Sequence, residues 1–414
     1  MNIAFMKLGK SVKFKRKSFG ASGGDNEASA FLKILANANP NITFWIIGRS
    51  DFEKLDTIEK AAIFPYGNVK NILNSRIAIT TTSGDNFEQD LLLRRFEEEN
   101  VKMDACISLV GCVSNTNFPN FWVKRDKTGF AKIMMAALYY SSHQIYWLNT
   151  SNCPLIEIVN DPRYTLSQPK DLMKTADICL SQFDYEYKSK SIKDMNSNEV
   201  IVKTTPTKYA YMETSFVFEK EKARHNNTKD KKFLIVLNEG YPSRYESLNE
   251  WVLSKTDDVE IYGAWSDERC KIDKRFKGSL HIDELENIVK RSKYTFIIPI
   301  KAGWVTAKYL EMIYSGCIPF FHPDYDSQEH IKVPDILRPK NIDEMLSAIE
   351  KFESDEEYRL KFVKDLQDSI ITPDLYNGKK INSIIMQSVY DLLNLGKYEE
   401  PQQFKPKNVI KSFA

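Results

Sequence analysis

The sequence predicts an α/β protein with two domains. Apolar runs of strand length alternate with helical patterns along the chain, which is typical of βαβ units and parallel sheets. Residues 219–232 are charged and carry no hydrophobic pattern, so we expect a linker there. The length of 414 residues fits two domains of about 150–200 residues each.

The composition narrows the kind of protein. The net charge is only +2, so any affinity for nucleic acid or a membrane must come from local patches. The six cysteines form no Cys-x-x-Cys pair, which favours buried free thiols over a disulfide framework or a zinc site. The sequence shows no signal peptide and no apolar run of about 18 residues. We therefore expect a cytoplasmic protein without a membrane span.

A basic loop follows the first predicted strand, residues 2–8, and occupies residues 10–24. Its positive side chains include Lys13, Lys15, Arg16 and Lys17. Because clustered lysine and arginine side chains bind phosphates, the loop is a candidate contact for nucleic acid. The alternative is a solvated charged loop without a ligand.

A glycine-rich turn, with Gly20, Gly23 and Gly24, leads from the basic loop into a predicted helix that begins at Asp25. Glycines let the backbone come close to a ligand at a helix N-terminus. No Gly-Lys-Ser/Thr follows them, so the turn is not a Walker loop. Gly23 and Gly24 are therefore candidates for ligand contact.

Further strands of the first domain are predicted at residues 42–47, 105–111, 155–159 and 176–180. The third of these leads into a turn that carries Asp161, Pro162 and Arg163. Proline fixes such a turn, which places Asp161 and Arg163 at the carboxyl edge of the sheet. From the residues alone, Asp161 can equally be an aspartate that caps the turn beside its arginine neighbour.

The second domain is expected to open with a strand at residues 233–237, and the loop after that strand carries Arg244. Downstream, helices are predicted at residues 284–292, 343–352 and 356–369. A terminal helix at residues 382–395 ends before Gly396, which is a common helix terminator.

The most informative stretch, residues 294–326, has the pattern strand, loop, helix, strand. Its loop carries Lys301 and Gly303, and its helix, predicted at residues 305–314, carries Lys308 and Glu311 before a C-cap at Gly316. Such a unit puts its loop at the carboxyl edge of the sheet, where open α/β folds bind ligands. Alternatively, Glu311 is an ordinary surface glutamate on an amphipathic helix.

The run Lys308-Tyr-Leu-Glu311, followed by Ser315-Gly-Cys-Ile-Pro319, resembles the donor-binding signature of GT-B glycosyltransferases. The pattern is most similar to that of the phage α-glucosyltransferases that glucosylate hydroxymethylated bases in DNA. The strand that leads to the Asp161 turn, and the later Ala176-Asp177-Ile178, resemble the same enzymes, loosely.

The resemblance implies two Rossmann-like domains that face each other across a cleft. The acceptor domain would be residues 1–218, the linker 219–232 and the nucleotide-sugar domain 233–385, while the helix and tail at 386–414 would pack back on the first domain. Glu311 would hold the ribose hydroxyls of the donor. The donor diphosphate would be held by Arg244 and Lys301, more weakly by Lys308, and by backbone at Gly303, Gly23 and Gly24.

The same resemblance places Asp161, with Arg163, near the transferred sugar and the acceptor hydroxyl. Retaining GT-B families commonly carry a second glutamate eight positions before the first, where this chain has Gly303, so the stereochemical outcome stays open. In a retaining enzyme Asp161 would act electrostatically, whereas in an inverting one it would be the leading base and His143 a weaker one. GT-B enzymes usually need no metal, and we interpret Asp324 and Asp326 as turn residues.

These features together predict a glycosyltransferase that uses UDP-glucose or a UDP-pentose. The expected acceptor is a 5-hydroxymethyl pyrimidine in double-stranded phage DNA, bound by the basic loop. One alternative is a GT-B enzyme that acts on a polysaccharide, lipid or protein. Another is a non-catalytic DNA- or sugar-binding protein of the same fold. The sugar, the base and the oligomeric state stay open.

Overall fold

The structure is a computed structural model. It describes residues 1–7, 12–14, 23–47, 50–71, 101–109, 153–159, 176–181, 208–211, 229–239, 242–299, 305–306, 308–327, 329–371 and 378–401. Residues 219–228 of the predicted linker and the expected tail beyond residue 401 lie outside these ranges.

The first domain is built on a parallel sheet with the strand order β3-β2-β1-β4-β5-β6-β7. The strands are β1 (Asn2–Lys7), β2 (Thr43–Ile46), β3 (Val69–Asn71), β4 (Ala105–Leu109), β5 (Leu155–Val159), β6 (Ile178–Ser181) and β7 (Lys208–Tyr211). Ile3 of β1 pairs with Phe44 on one side and with Ala105 on the other. The apolar runs of β1 and β4 are buried along nearly their whole length, as expected for central strands of a covered parallel sheet.

The second domain has a parallel sheet with the order β10-β9-β8-β11-β12. Its strands are β8 (Lys231–Val236), β9 (Val259–Tyr262), β10 (Phe276–Gly278), β11 (Ser292–Ile297) and β12 (Ile318–Phe321). Tyr294 of β11 pairs with Phe233 of β8 and with Ile318 of β12. Strand β8 starts at Lys231, within the charged stretch that the sequence assigns to a linker, because Lys231 already pairs with Ser292 of β11.

Helices connect these strands and cover the sheets. Within the described ranges they are α1 (Gly23–Ala38), α2 (Thr57–Ile63), α3 (Pro242–Leu248), α4 (Asp267–Ile272), α5 (Ile282–Arg291), α6 (Lys308–Tyr314), α7 (Ile342–Ser354), α8 (Glu356–Ile370) and α9 (Lys379–Leu392). Helices α7 and α8 begin where predicted to within two residues. Each has a side-chain N-cap, in which Asn341 accepts from Glu344 N–H and Asp355 accepts from Tyr358 N–H.

The last helix, α9, packs on the first domain. Ile381, Ile385 and Val389 are buried in the same hydrophobic cluster as Ile3 and Phe5 of β1. The helix starts at Lys379, earlier than the predicted start at residue 382, because Gly378 adopts a left-handed conformation directly before it.

A closed ring of three buried hydrogen bonds fixes α9 against α1. Asn39 Nδ2 donates to Asn382 Oδ1, Asn382 Nδ2 donates to the Tyr398 hydroxyl, and that hydroxyl donates to Asn39 Oδ1, each over 2.8 Å. Polar side chains that lie far apart in sequence therefore satisfy one another inside the core of the first domain.

We expect Gly378→Ala to destabilise the protein more than Gly396→Ala. Both glycines have left-handed φ angles, +66° and +82°, so each alanine costs about 1–2 kcal/mol of backbone strain. Only at Gly378 would the new Cβ lie 2.5 Å from Ile34 Cδ1 of α1, which adds about 1–3 kcal/mol of overpacking. Urea unfolding measures both losses, and equal losses would contradict the tight packing of α9 on α1.

Candidate functional site

The carboxyl edge of the second sheet has a topological switch point between β8 and β11. Strand β8 lies between β9 and β11, so the connections that leave β8 and β11 run to opposite sides. Open α/β sheets bind ligands in the crevice at such a point. Both stretches that the sequence singles out in this domain, the loop with Arg244 and the segment before α6, leave the sheet here.

Hydrogen bonds fix the exit from β8 against the exit from β9. Asn238 Oδ1 accepts from Ala264 N–H at 2.8 Å, and Glu239 accepts from Ser266 N–H at 2.7 Å and from Arg269 Nε at 3.0 Å. These bonds hold the pKa of the Glu239 carboxyl below its ordinary value, the Ser266 backbone contributing most among the hydrogen bonds. The segment that follows β8 is therefore held against the segment that follows β9.

Glycine is required at position 263 because the backbone there lies very close to the backbone of Leu237. Its φ is +146°, and a Cβ there would lie 2.1 Å from the carbonyl oxygen of Leu237. No side chain fits such a distance to a backbone atom.

Three predicted donor-site residues, Arg244, Lys308 and Glu311, lie together at this edge. The Lys308 ammonium donates a hydrogen bond to the carbonyl oxygen of Val236, the last residue of β8. Arg244 Nη1 donates to the carbonyl oxygen of Asn238 at 3.1 Å, two residues further on. Burial, together with the Arg244 charge and against the opposing Glu311 carboxylate, lowers the pKa of Lys308 to about 8. Glu311 itself is exposed.

The C-terminus of α6 is held by a Schellman motif and by two side chains. Gly316, at φ +72°, donates to Ile313 O at 2.9 Å, and Cys317 N–H donates to Met312 O at 2.9 Å, which confirms the predicted C-cap. Lys229 Nζ donates to Ser315 O at 2.8 Å, and Gln367 Nε2 donates to Ile313 O at 2.8 Å. The carbonyls that a helix end leaves open are therefore bonded.

The start of α6 differs from the prediction. The sequence predicts a helix from Val305, but the described helix begins at Lys308. Thr306 lies outside it because its backbone N–H and carbonyl both bond to the hydroxyl of Tyr325, at 2.9 and 2.8 Å. These two bonds fix Thr306 outside the helix, before the first turn of α6.

Asp324 and Asp326 form the turn after β12, as the sequence predicts. Asp326 is fully buried at φ +51°, and its carboxylate accepts from His330 N–H at 2.9 Å, Ile331 N–H at 2.7 Å and Arg338 Nη2 at 2.8 Å. Across the described ranges, no group of three or more His, Cys, Asp or Glu side chains is arranged to hold a metal ion. In that same part of the chain, no helix has the length and hydrophobicity to cross a membrane.

The remaining predicted site residues divide into two groups. Gly23 and Gly24 form the first turn of α1 instead of a turn before it, since the helix starts two residues earlier than predicted. Lys13 lies in a short anchored segment. The residues that fall outside the described ranges are Lys15, Arg16, Lys17, His143, Asp161, Arg163, Lys301 and Gly303.

The anchored segment at residues 12–14 ties the basic loop to the body of the first domain. Val12 forms a parallel bridge with Ser50, and Phe14 N–H donates to Asp51 Oδ1 at 2.7 Å. The Phe14 ring packs on Phe52 and Phe64, with centroids 5.7 and 5.5 Å away. The fixed position of these three residues keeps this end of the basic loop against the sheet.

Sequence reasoning missed three residues that fix α6: Tyr325, Lys229 and Gln367. They lie 19, 86 and 53–54 positions from the backbone groups that they bind. Tyr325 carries a usable signal, because it is a large aromatic residue inside a Pro-Asp-Tyr-Asp turn. Lys229 and Gln367 carry none, because a linker lysine and a helical glutamine are ordinary surface residues in sequence.

Two parallel α/β domains, the second with its switch point beside the motif around Glu311, correspond to the GT-B fold, and solved structures confirm this fold. T4 phage BGT in complex with UDP and Mn²⁺ matches with a TM-score of 0.54 and 12% identity, over 95% of this chain and 99% of that chain. The DNA modifying enzyme β-glucosyltransferase, studied with its substrate uridine diphosphoglucose, gives 0.55 and 12%, over 94% and 100%. A glycosyltransferase from Rickettsia africae gives 0.50 and 12%, over 95% and 99%.

At this identity the likeness is one of fold. The predicted GT-B fold is confirmed, and the matched phage enzymes are β-glucosyltransferases, whereas the motif around Glu311 resembles the α-glucosyltransferases. No protein-family model and no curated protein matches the sequence.

We expect Asp326→Asn to lower the free energy of unfolding by about 3–5 kcal/mol, because it removes the fully buried carboxylate that pairs with Arg338. Asp324→Asn, with a side chain 61% exposed, should cost less than about 1 kcal/mol. Denaturant unfolding in EDTA and in Mn²⁺ measures both. A wild-type stability that rises with Mn²⁺ and depends on both aspartates would show a metal site instead of a turn.

Proposed function

We propose that this chain is a glycosyltransferase that moves a sugar from a UDP-sugar to an acceptor hydroxyl. The observation that carries the proposal is the grouping of Lys308, Arg244 and Glu311 at the switch point of the second sheet. A carboxylate next to two cationic groups suits a nucleoside diphosphate, which offers ribose hydroxyls and a charged diphosphate. The matched T4 structures bind UDP and UDP-glucose in the same fold.

Each residue of this group has a distinct task in the proposed reaction. The exposed carboxylate of Glu311 accepts hydrogen bonds from the ribose hydroxyls, which are stronger than neutral ones because the acceptor is charged. Arg244 and Lys308 face the diphosphate and stabilise the negative charge that grows on it as the sugar leaves. Lys301 and the backbone at Gly303, Gly23 and Gly24 are proposed to complete this anion grip.

The pKa of Lys308 gives the proposed grip a pH limit. Burial sets that pKa to about 8, so the ammonium is charged at neutral pH and loses its proton as the pH rises above this value. The attraction between Lys308 and a diphosphate is therefore present below about pH 8 and fades above it, whereas Arg244 stays charged.

For the acceptor we propose a 5-hydroxymethyl pyrimidine in double-stranded DNA. A matched structure is described as a DNA modifying enzyme, and the basic loop begins at a segment that Phe14 and Val12 tie to the first domain. Lys13, Lys15, Arg16 and Lys17 would contact the DNA phosphates, and Asp161 with Arg163 would lie at the acceptor hydroxyl. Arg244 and Lys308 would supply the positive charge without a required metal, although the T4 structure holds Mn²⁺ with UDP.

The proposal is tested by incubating the protein with a panel of UDP-sugars and DNA that is unmodified or contains hydroxymethylcytosine or hydroxymethyluracil. The digested nucleosides are examined by mass spectrometry, with parallel reactions in EDTA and in Mn²⁺. A hexose or pentose added to one modified base supports the full proposal. UDP-sugar hydrolysis without DNA modification supports transfer to another acceptor, and UDP binding without turnover supports a non-catalytic protein.

We expect Glu311→Ala to raise the Kd for UDP about 10- to 100-fold and to abolish measurable transfer, because charged hydrogen bonds to the ribose contribute about 1.5–3 kcal/mol. Glu350→Ala, which removes another exposed glutamate of the same domain on α7, is the matched control and should stay within about twofold of wild type. Calorimetry with UDP measures both. Equal, small effects of the two variants would make Glu311 a surface glutamate.

Replacing Lys13, Lys15, Arg16 and Lys17 together by glutamine should raise the KM for DNA without changing the KM for the UDP-sugar. If each contacts a phosphate, the slope of log affinity against log salt should fall by up to about 3.6. A variant with Lys340, Lys351, Lys361 and Lys364 changed to glutamine removes the same charge from exposed positions of the second domain and serves as control. Equal salt slopes in both variants would exclude the basic loop as the DNA contact.

A further inference from the structure

The hydroxyl of Tyr325 forms a two-way hydrogen bond with the backbone of one residue, Thr306. It accepts from Thr306 N–H at 2.9 Å and donates to Thr306 C=O at 2.8 Å. Thr306 lies two residues before α6 and belongs to no helix or strand. The Tyr325 hydroxyl therefore satisfies both backbone groups of Thr306, which in a helix or strand would bond to other backbone groups.

Tyr325 itself is held firmly. Its side chain is 1% exposed, its ring lies 5.4 Å from that of Phe321, and its own N–H donates to His322 O at 2.7 Å. The next residue is the buried Asp326, whose carboxylate closes the turn through two backbone N–H groups and Arg338. Burial also raises the pKa of Tyr325, so its hydroxyl keeps its proton and remains a donor.

This contact joins neighbouring strands at the candidate site. Strand β12 lies next to β11 in the sheet, and the turn after β12 carries Tyr325. The hydroxyl reaches the segment that enters α6, where Lys308 follows Thr306 by two residues and bonds in turn to the end of β8. The position of the first turn of α6 is therefore set from both sides, by the turn after β12 and by β8.

We propose that Tyr325 is a positioning residue for the nucleotide-sugar site, acting through Thr306 on Lys308 and Glu311. This inference rests on the function proposed above. Without the hydroxyl, the Thr306 N–H and C=O must find other partners, and the segment before α6 loses its fixed geometry. A site that must be ordered on binding holds its ligand less tightly than a preorganised one.

The test compares Tyr325→Phe with Tyr294→Phe. Tyr294 is an equally buried tyrosine of the same domain, and its hydroxyl donates to Glu353 Oε1 at 2.7 Å. Each variant keeps its ring and loses one buried hydroxyl, so both report a general loss of stability. Only Tyr325→Phe removes a contact with the segment before α6.

We expect Tyr325→Phe to raise the calorimetric Kd for UDP and the KM for the UDP-sugar about tenfold, with kcat within about twofold of wild type. The reason is that donor binding is weakened equally in the ground state and in the transition state. Tyr294→Phe should leave all three within about twofold. Amide hydrogen exchange at residues 305–306 should become faster in Tyr325→Phe alone, a readout that does not depend on the ligand.

The outcomes separate the two proposals. If wild type binds UDP and Tyr325→Phe binds it equally well, Tyr325 is a core residue only and the proposed function stands. Equal weakening of UDP binding in both variants would indicate a general packing effect and overturn the positioning role. A wild-type protein that does not bind UDP overturns both proposals.

Discussion

Helix α6 is fastened to the second domain at both of its ends, and the candidate site depends on that attachment. Before the helix, Tyr325 holds Thr306, and within the first turn Lys308 bonds to the end of β8. At the other end, Lys229 and Gln367 bond to the last carbonyls. Because these contacts come from separate parts of the domain, α6 cannot shift without breaking several partly or fully buried hydrogen bonds, each worth about 1 kcal/mol.

The attachment of α6 involves a residue of the candidate site itself, Lys308. Lys308 is both a structural bond to β8 and a cation at the carboxyl edge, and burial is what keeps its pKa near 8. Its neighbour Glu311, one turn along the same helix, is exposed. Rigid backbone beneath exposed polar groups is the arrangement that binding sites need, since the cost of ordering them is met during folding.

The parts of the fold that depend on local pattern were predictable from sequence. The strand, helix and strand at residues 294–326, the C-cap at Gly316 and helices α7 and α8 follow from apolar spacing and from glycine or capping residues. The predicted start of α6 was wrong because Tyr325 holds Thr306 outside the helix, and no pattern within the helix encodes that contact. The ring of Asn39, Asn382 and Tyr398 was missed for the same reason, as it joins residues more than 340 positions apart.

A crystal structure of the protein with UDP would test the central claim most directly, namely that the switch point of the second sheet is a nucleotide-sugar site. We expect UDP at the carboxyl edge beside β8, with its ribose hydroxyls in hydrogen-bond contact with Glu311 and its diphosphate facing Arg244 and Lys308. UDP bound at any other surface, or at this edge with its ribose turned away from Glu311, would contradict the proposed site.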